Sequence, residues 1–368
     1  VIGPGAAGVR AGGVRAGDGP RVGPSVPATG RRACGWAGGD VKALVTGASG
    51  FLGLHLVEML RERGDEVRAL ARRPHPAFDA LGVDVVQADV RDAAAVASAC
   101  ADRDVVFHTA AIAGIWGRWP DYHETNVVGT RNVIAGCRTH AVTRLVHTSS
   151  PSVTFDGRPQ ESIDESAGYA RRWLAHYPHS KALAEKEVLG ANTRDGLRTC
   201  ALRPHLIWGP RDGHLVPRLI DRARKGSLMQ VGSGTNRIDI TYVENAAWAH
   251  IQAAESLGKN GGPAGKAYFV SQGEPIVCWE WIGELLSLAR LPYPRRHISY
   301  PTAYRVGALF ELAYTVMRRS DEPRMTRFLA GQLALSHYFD LSAARRDFGY
   351  APVVSIEEGM RRMAGILR

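Results

Sequence analysis

Val41-Lys42-Ala43-Leu44-Val45-Thr46-Gly47-Ala48-Ser49-Gly50-Phe51-Leu52-Gly53 is the stretch that decides the fold. Its first six residues are a short, mostly apolar run, which reads as a buried strand. Gly47 permits a tight turn, Gly50 lets a ligand approach the backbone, and Gly53 allows a helix to pack closely on a strand. Over 51–63 apolar residues fall at Leu52, Leu56, Met59 and Leu60, which is helical spacing. A strand, a glycine turn and a helix in that order make a cradle for a dinucleotide pyrophosphate. The helix start offers unpaired N–H groups and a partial positive charge. Gly47, Ser49, Gly50, Phe51, Leu52 and Gly53 are the expected contacts.

The pattern continues outward. Strands are expected at 66–70, 83–87, 104–109, 144–149 and 197–203, and helices at 92–99, 126–138 and 179–191. Asp92 is placed to cap its helix. Alternation of this kind predicts an α/β fold, a Rossmann-type doubly wound parallel sheet covered on both faces. Residues 41–211 form the expected nucleotide-binding domain. Residues 212–368 form a smaller, mainly substrate-binding region, from which 237–256 returns to the main domain as a strand and a helix.

The end of the second strand selects the cofactor. An acidic residue there grips the ribose 2′-hydroxyl of NAD. Here the chain reads Leu70-Ala71-Arg72-Arg73. Two guanidinium groups suit a 2′-phosphate, so NADP (as NADPH) is expected. Asp89 and Val90, after the third strand, are placed to meet the adenine. Thr109, Ala110 and Ala111, after the fourth, offer small residues and backbone.

Chemistry enters at Tyr177-Pro178-His179-Ser180-Lys181. Tyr177 and Lys181 are four apart and share a helix face. Pro178 is tolerated in a first turn. A free phenol has a pKa of about 10, and a neighbouring ammonium and an oxidised pyridine ring would pull it toward neutrality. Tyr177 is thus the expected proton donor to a carbonyl oxygen, and Lys181 tunes it and holds the ribose. Ser150, at the carboxyl end of the preceding strand, is expected to polarise the same oxygen, ahead of Ser149. Asn126 has two readings: a helix N-cap, or a bend that anchors a water in the proton relay.

Bulk properties exclude other classes. The 368 residues carry a net charge of +10, but the basic residues are scattered and no nucleic-acid module is visible. Five cysteines, none in a Cys-x-x-Cys pair, fit thiols in a reducing cytoplasm and no metal site. No apolar run is long enough to span a membrane. Residues 1–40, rich in Gly, Ala, Arg and Pro, read as a disordered leader with little to bury.

The motifs together resemble the extended short-chain dehydrogenase/reductase superfamily over about residues 41 to 365. Four further segments are similar to its 3β-hydroxysteroid dehydrogenase-like branch. They are Ala110-Ala111-Ile112-Ala113-Gly114-Ile115-Trp116-Gly117, the run from Tyr122 through Asn126 to Thr130, the run Ala201-Leu202-Arg203-Pro204-His205-Leu206-Ile207-Trp208-Gly209-Pro210, and Gly265-Lys266-Ala267-Tyr268-Phe269. More narrowly, the chain resembles the 2-alkyl-3-oxoalkanoate reductases of bacterial long-chain olefin biosynthesis. That resemblance implies reduction of a long-chain β-keto acid and Pro204 and Leu206 beside the nicotinamide. It also implies a homodimer built on 126–138 and 179–191, and association with other enzymes of that pathway. Trp116 and Trp119 follow the fourth strand, beside the expected substrate pocket. The apolar stretch 303–317, ending at Arg318 and Arg319, has three readings: the wall of a greasy channel, peripheral contact with a membrane surface, or a core helix. Arg203 and His214 are candidates for a substrate carboxylate. The rival functions are a sterol-4α-carboxylate or 3β-hydroxysteroid dehydrogenase, a nucleotide-sugar epimerase or reductase, and a redox-sensing binding protein.

Overall fold

The computed structural model describes residues 41–367, so the expected leader at 1–40 lies outside the described residues. From the first described residues, strand and helix alternate. In chain order they are β1 (Lys42–Thr46), α1 (Phe51–Glu62), β2 (Glu66–Ala71), α2 (Ala77–Leu81), β3 (Asp84–Gln87), α3 (Ala93–Cys100), β4 (Val105–His108), α4 (Trp119–Tyr122), α5 (Gly129–Thr139), β5 (Arg144–Thr148), β6 (Gln160–Ile163), α6 (His176–Gly190) and β7 (Arg198–Pro204). Asp92 caps α3 as expected, its carboxylate accepting from the N–H groups of Ala94 and Ala95.

Seven parallel strands build the main sheet in the order β3, β2, β1, β4, β5, β7 and Ala267–Val270. The order reverses between β1 and β4, which opens a crevice at the carboxyl ends of those two strands. Both faces are covered, and alternation along the strands shows how. Ala43 and Val45 of β1 and Phe107 of β4 enter one core, and Leu44 and Val106 enter the other. All five are fully buried. Because successive side chains of a strand point to opposite faces, an unbroken apolar run is what a doubly covered strand requires.

The chain returns to this domain more than once. Thr241–Tyr242 pairs in parallel with Ile207–Trp208, and the helix Val243–Ser256 packs on α1. The return extends beyond 256, because Ala267–Val270 supplies the seventh strand. The later segments also form a second, four-stranded sheet of Ile276–Val277, Arg237–Ile238, His337–Phe339 and β6. A third core around Trp208, Tyr242, Trp279, Trp281 and Leu285 lies among these segments. The helices Tyr300–Val316 and Arg327–Ala334 pack against each other. Gly307 makes this approach possible, since a Cβ there would lie 2.6 Å from the Thr326 carbonyl carbon.

Two helices differ from expectation at their starts. The helix expected from 126 already begins at Trp119 and runs through a π-helical turn, His123–Val128, into α5. The helix expected from 179 begins at His176, with Pro178 in its first turn, where the missing N–H is no loss. Among the described residues, no helix is long and apolar enough to cross a membrane.

Candidate active site

The glycine loop closes on neighbouring backbone. Gly47 has φ +69°, and a Cβ on it would lie 2.7 Å from the Cα of Ala110. A Cβ on Gly53 would collide with the Gly47 carbonyl oxygen. Leu54 is the first residue of α1 whose N–H bonds back within the helix, to Gly50, and Gly50 brings no side-chain cap. The N–H groups of Phe51, Leu52 and Gly53 therefore have no helical partner and face the start of the helix, which is what a phosphate needs. A crevice of about 650 Å³ opens there, lined by Gly47, Ser49, Gly50, Arg72, Arg73, Asp89, Val90, Thr109, Ala110, Ala111, Ile112 and Thr125 among others. Arg72 and Arg73 are exposed at its edge. Asp89 is forked by Arg91 at 3.0 and 2.9 Å, which holds its carboxyl below the usual range. These residues fit a dinucleotide.

The expected chemical groups stand on α6 and just after β5. Tyr177 is half-buried in the first turn of α6. Its phenol feels the Ser150 side chain. Burial pushes its pKa up, and the Ser150 side chain pulls it down by less. Ser150 follows β5 and also meets the Ser152 hydroxyl at 2.8 Å. Ser149 is turned away, fully enclosed, with its hydroxyl unpaired. Lys181, one turn after Tyr177, is 2% exposed. Its ammonium donates to the Thr148 carbonyl at 2.5 Å and meets His147 Nε2 at 3.2 Å. Burial lowers its pKa to about 7, against a smaller upward pull from Glu185. The sequence pattern pointed to a fixed positive charge beside the phenol. Burial makes the lysine a group poised between charged and neutral near pH 7.

Asn126 does not cap a helix. It is buried inside the π turn, and Oδ1 accepts from the Ile112 N–H at 2.8 Å. Nδ2 donates to the Ile112 carbonyl at 3.1 Å and to the Ser180 hydroxyl at 2.9 Å. One side chain thereby ties the crevice wall to α6. Pro204 ends β7, and Leu206 follows in a left-handed turn of φ +41°. Arg203 is buried, at 4% exposed. Glu185 holds it in a buried two-point ion pair at 3.0 and 2.6 Å, which clamps α6 to β7. His214 is exposed beside the helix Leu215–Arg224.

The sequence reading missed the support beneath the site. His108 bridges Thr46 at 2.7 Å and Thr130 at 2.9 Å. His250 meets the Thr148 hydroxyl at 2.7 Å. Burial holds these rings neutral, at about 3 and about 4. His147, likewise kept neutral by burial, can accept from Lys181. All three are single apolar-strand or helix positions in sequence, and only the strand order brings them together.

Next to the start of α6 lies a second cavity of about 930 Å³. Ile115, Trp116, Trp173, Leu174, His176 and His179 line one part of it. The helix Tyr300–Val316 and the turn after it give Ala308, Glu311, Leu312, Tyr314, Thr315, Arg318 and Arg319. Trp116 lines the cavity, and its indole donates to the Arg319 carbonyl at 3.1 Å. Trp119 stands one layer back: His179 is stacked between Trp119 at 4.6 Å and Trp173 at 5.3 Å. Trp173 had no sequence signal. The helix is not a core helix. Only Ala303, Gly307 and Glu311 are buried, and Leu309, Leu312, Val316 and Met317 remain 57–74% exposed. Burying a Leu, Val or Met is worth about 1.5–3 kcal/mol, so this face leaves unspent apolar surface at the cavity edge.

Residues 44–299 match the 3-beta hydroxysteroid dehydrogenase/isomerase family. The chain belongs to that family. It is an NAD(P)-dependent oxidoreductase of the short-chain dehydrogenase/reductase type. Among its relatives, a 2-alkyl-3-oxoalkanoate reductase of Stenotrophomonas maltophilia is 48% identical over 88% of this chain and 98% of its own length. A second protein of that name, from Shewanella oneidensis, is 46% identical over 88% of this chain and 86% of its own length. A decarboxylating sterol-4-alpha-carboxylate 3-dehydrogenase of Mus musculus is 36% identical over 87% and 89%. In shape the family member is similar to MoeE5, solved in complex with UDP-glucose and NAD. That match has a TM-score of 0.68, covers 88% of this chain and 97% of the other, and is 24% identical, a likeness of fold alone.

Proposed function

We propose that the chain catalyses NADPH-dependent reduction of a long-chain 2-alkyl-3-oxoalkanoate to the 2-alkyl-3-hydroxyalkanoate, a step of long-chain olefin biosynthesis. The observation that carries the reading is that two different spaces accompany α6, the helix of Tyr177 and Lys181, whose first turn lines one of them at His176 and His179. One is a crevice fitted to a dinucleotide. The other is a cavity that is apolar along its walls and rich in arginine. The 48% identity to a reductase of that name supports it. The two exposed arginines at the end of β2, where an acidic residue would favour NAD, support NADP.

When bound, NADPH supplies the hydride. The chain does the rest. Ser150 donates a hydrogen bond to the substrate carbonyl oxygen and polarises it. Tyr177 gives its proton to that oxygen as negative charge develops. Lys181, released from Thr148 toward the ribose, favours the phenolate that remains. Asn126 holds the Ile112 wall against α6 and so fixes the distance between crevice and phenol. Pro204 and Leu206 close the nicotinamide side. Glu185 and Arg203 keep α6 seated. We read α5 and α6, joined on their outer side by the Arg131–Glu187 ion pair, as the homodimer surface.

An NADPH-oxidation assay against a panel tests this reading. A 2-alkyl-3-oxoalkanoate should be turned over at least 100-fold more efficiently than a 3-ketosteroid, and UDP-glucose should give nothing with NAD. Preferred oxidation of a 3β-hydroxysteroid with NAD would overturn it.

A further inference from the structure

Three histidines lie buried beneath the site, and their hydrogen bonds set one of them apart. His108 uses both ring nitrogens for bracing: Nδ1 meets the Thr46 hydroxyl at 2.7 Å and Nε2 the Thr130 hydroxyl at 2.9 Å. The Thr130 hydroxyl donates in turn to the Asn126 carbonyl at 2.6 Å. His250 is held in the same way, between the Thr148 hydroxyl and the Ala246 carbonyl, both at 2.7 Å. His147 is different. Its Nε2 meets the Lys181 ammonium at 3.2 Å, and among the described residues its Nδ1 has no hydrogen-bond partner. The residue is fully buried.

The fold aims this ring at α6. Along β5 successive side chains alternate between the two faces of the sheet. Leu145 enters the core that also holds Val188 of α6, and Val146 enters the opposite one. His147 therefore points to the side on which α6 lies, next to its cross-strand partner His108 at 5.1 Å between ring centres. An ammonium carries only donors, so the Nε2 that meets it accepts, and the ring proton sits on Nδ1. A buried N–H without a partner is destabilising. An apolar side chain would continue the run Leu145-Val146 without that cost, so the one contact that accounts for an imidazole here is the contact to Lys181. Nor can the ring pass a proton onward, because Nδ1 meets no acceptor. Holding the lysine is the role that remains.

We propose that His147 is a positioning residue for Lys181: its Nε2 and the Thr148 carbonyl form a seat that holds the lysine as an ammonium before the cofactor binds. The assignment rests on the reading of Lys181 as the group that meets the cofactor ribose. Thr148 follows His147 on β5, and its carbonyl accepts from the same ammonium at 2.5 Å. The other groups around the lysine do not supply a second seat. Glu185, on the same helix, favours the charged form from a distance and is itself tied to Arg203. His108 and His250 are kept neutral by burial and are engaged elsewhere. Tyr177, one turn earlier, is a phenol that burial keeps protonated. Burial of Lys181 favours the neutral amine, and each fixed acceptor favours the ammonium. Loss of the ring acceptor should therefore tip the lysine toward the amine.

Equilibrium binding of NADPH to the full chain from about pH 5.5 to 9 tests it, read by fluorescence quenching. In wild type the Kd should begin to rise near pH 7, and Lys181→Met should flatten that rise. In His147→Phe the rise should begin about one pH unit lower. The Kd would then be about tenfold weaker than wild type at pH 8 and within about twofold of it at pH 5.5, where both lysines are charged. His147→Gln, whose side-chain carbonyl can stand in for the Nε2 acceptor, should restore the wild-type onset. An unchanged onset in His147→Phe, or the same shift in His147→Phe and His147→Gln, overturns the assignment alone. Nitrogen-15 NMR of the imidazole in wild type at about pH 6 adds a readout that needs no variant, and it decides should His147→Phe not fold. A proton on Nδ1 with Nε2 accepting is expected, and a proton on Nε2 overturns the assignment. A wild-type Kd with no such rise, or a rise that survives Lys181→Met, sinks the lysine reading and the assignment with it.

Discussion

The cofactor crevice and the cavity beside α6 are built by opposite rules. The cofactor crevice is local. Its walls are the carboxyl ends of β1, β2, β3 and β4 and the turns that follow them, all within residues 47–125. Its tolerances are set by backbone: two positions where a Cβ would collide, and three N–H groups with nowhere else to go. The cavity beside α6 is assembled from distant pieces, 115–118, 173–179 and 308–327. Its walls are side chains, and one of them is a helix that leaves large apolar residues in the open. A backbone cradle suits a ligand that never changes. A side-chain cavity suits a ligand that distinguishes one family member from another, which is why relatives with steroid and acyl names share one frame.

The sharpest test lies at the phenol. Tyr177→Phe removes the proton donor and nothing else, so kcat should fall by about 10³-fold with NADPH affinity unchanged. Single-turnover NADPH oxidation measures the first and fluorescence quenching the second. Retained turnover would mean that another group supplies the proton.

On the cofactor side, replacing Arg72 and Arg73 together with Ser should raise the NADPH Kd by about 30-fold and leave NADH nearly untouched. The expectation follows from losing one or two exposed charge-assisted contacts at about 1–2 kcal/mol. Equal weakening of both cofactors would show that the arginines shape the loop and do not read the 2′-phosphate.

Between the two spaces, Lys181 gives a pH signature. Its pKa in the folded chain is depressed to about 7 from an ordinary 10.5. Below pH 7 the ammonium is already present to meet the ribose. Above it, binding must draw in a proton, so the NADPH Kd should rise by about tenfold per pH unit until the bound form itself titrates. The same depression makes the fold gain stability as pH rises from about 7 toward 10.5, because the unfolded chain there binds more protons than the folded one. Titration of the Kd from pH 6 to 9 checks the first effect, and Lys181→Met should flatten it.

The smallest effect belongs to the substrate wall. Trp116→Ala removes an indole that lines the cavity and its bond to the Arg319 carbonyl. The KM for a long-chain substrate should rise about fivefold, in line with the loss of about 1 kcal/mol of aromatic contact. NADPH affinity should hold. A matching loss of NADPH affinity would show that the two spaces are mechanically coupled.

Much of the crevice was readable because its signals are short-range. Gly47, Gly50 and Gly53 lie within seven residues, and Tyr177 and Lys181 within five. Asp92 announces its helix by the type of residue it is. The helix starts were less legible. Pro120 and Pro178 both sit in first turns, where proline is tolerated but reads as a break. Asn126 was readable as important but not as to how, since its partners Ile112 and Ser180 are 14 and 54 residues away.

By itself the sequence determined the alternation of strand and helix, the glycine turn, and the placing of Tyr177 and Lys181 one turn apart on a helix, because each depends on neighbours along the chain. Tertiary structure alone decided that Lys181 is buried against His147 and Thr148 and that Arg203 is locked by Glu185. The physical reason is the same in both cases. Charge is worth what its surroundings make it, and those surroundings come from segments 18 to 34 residues away.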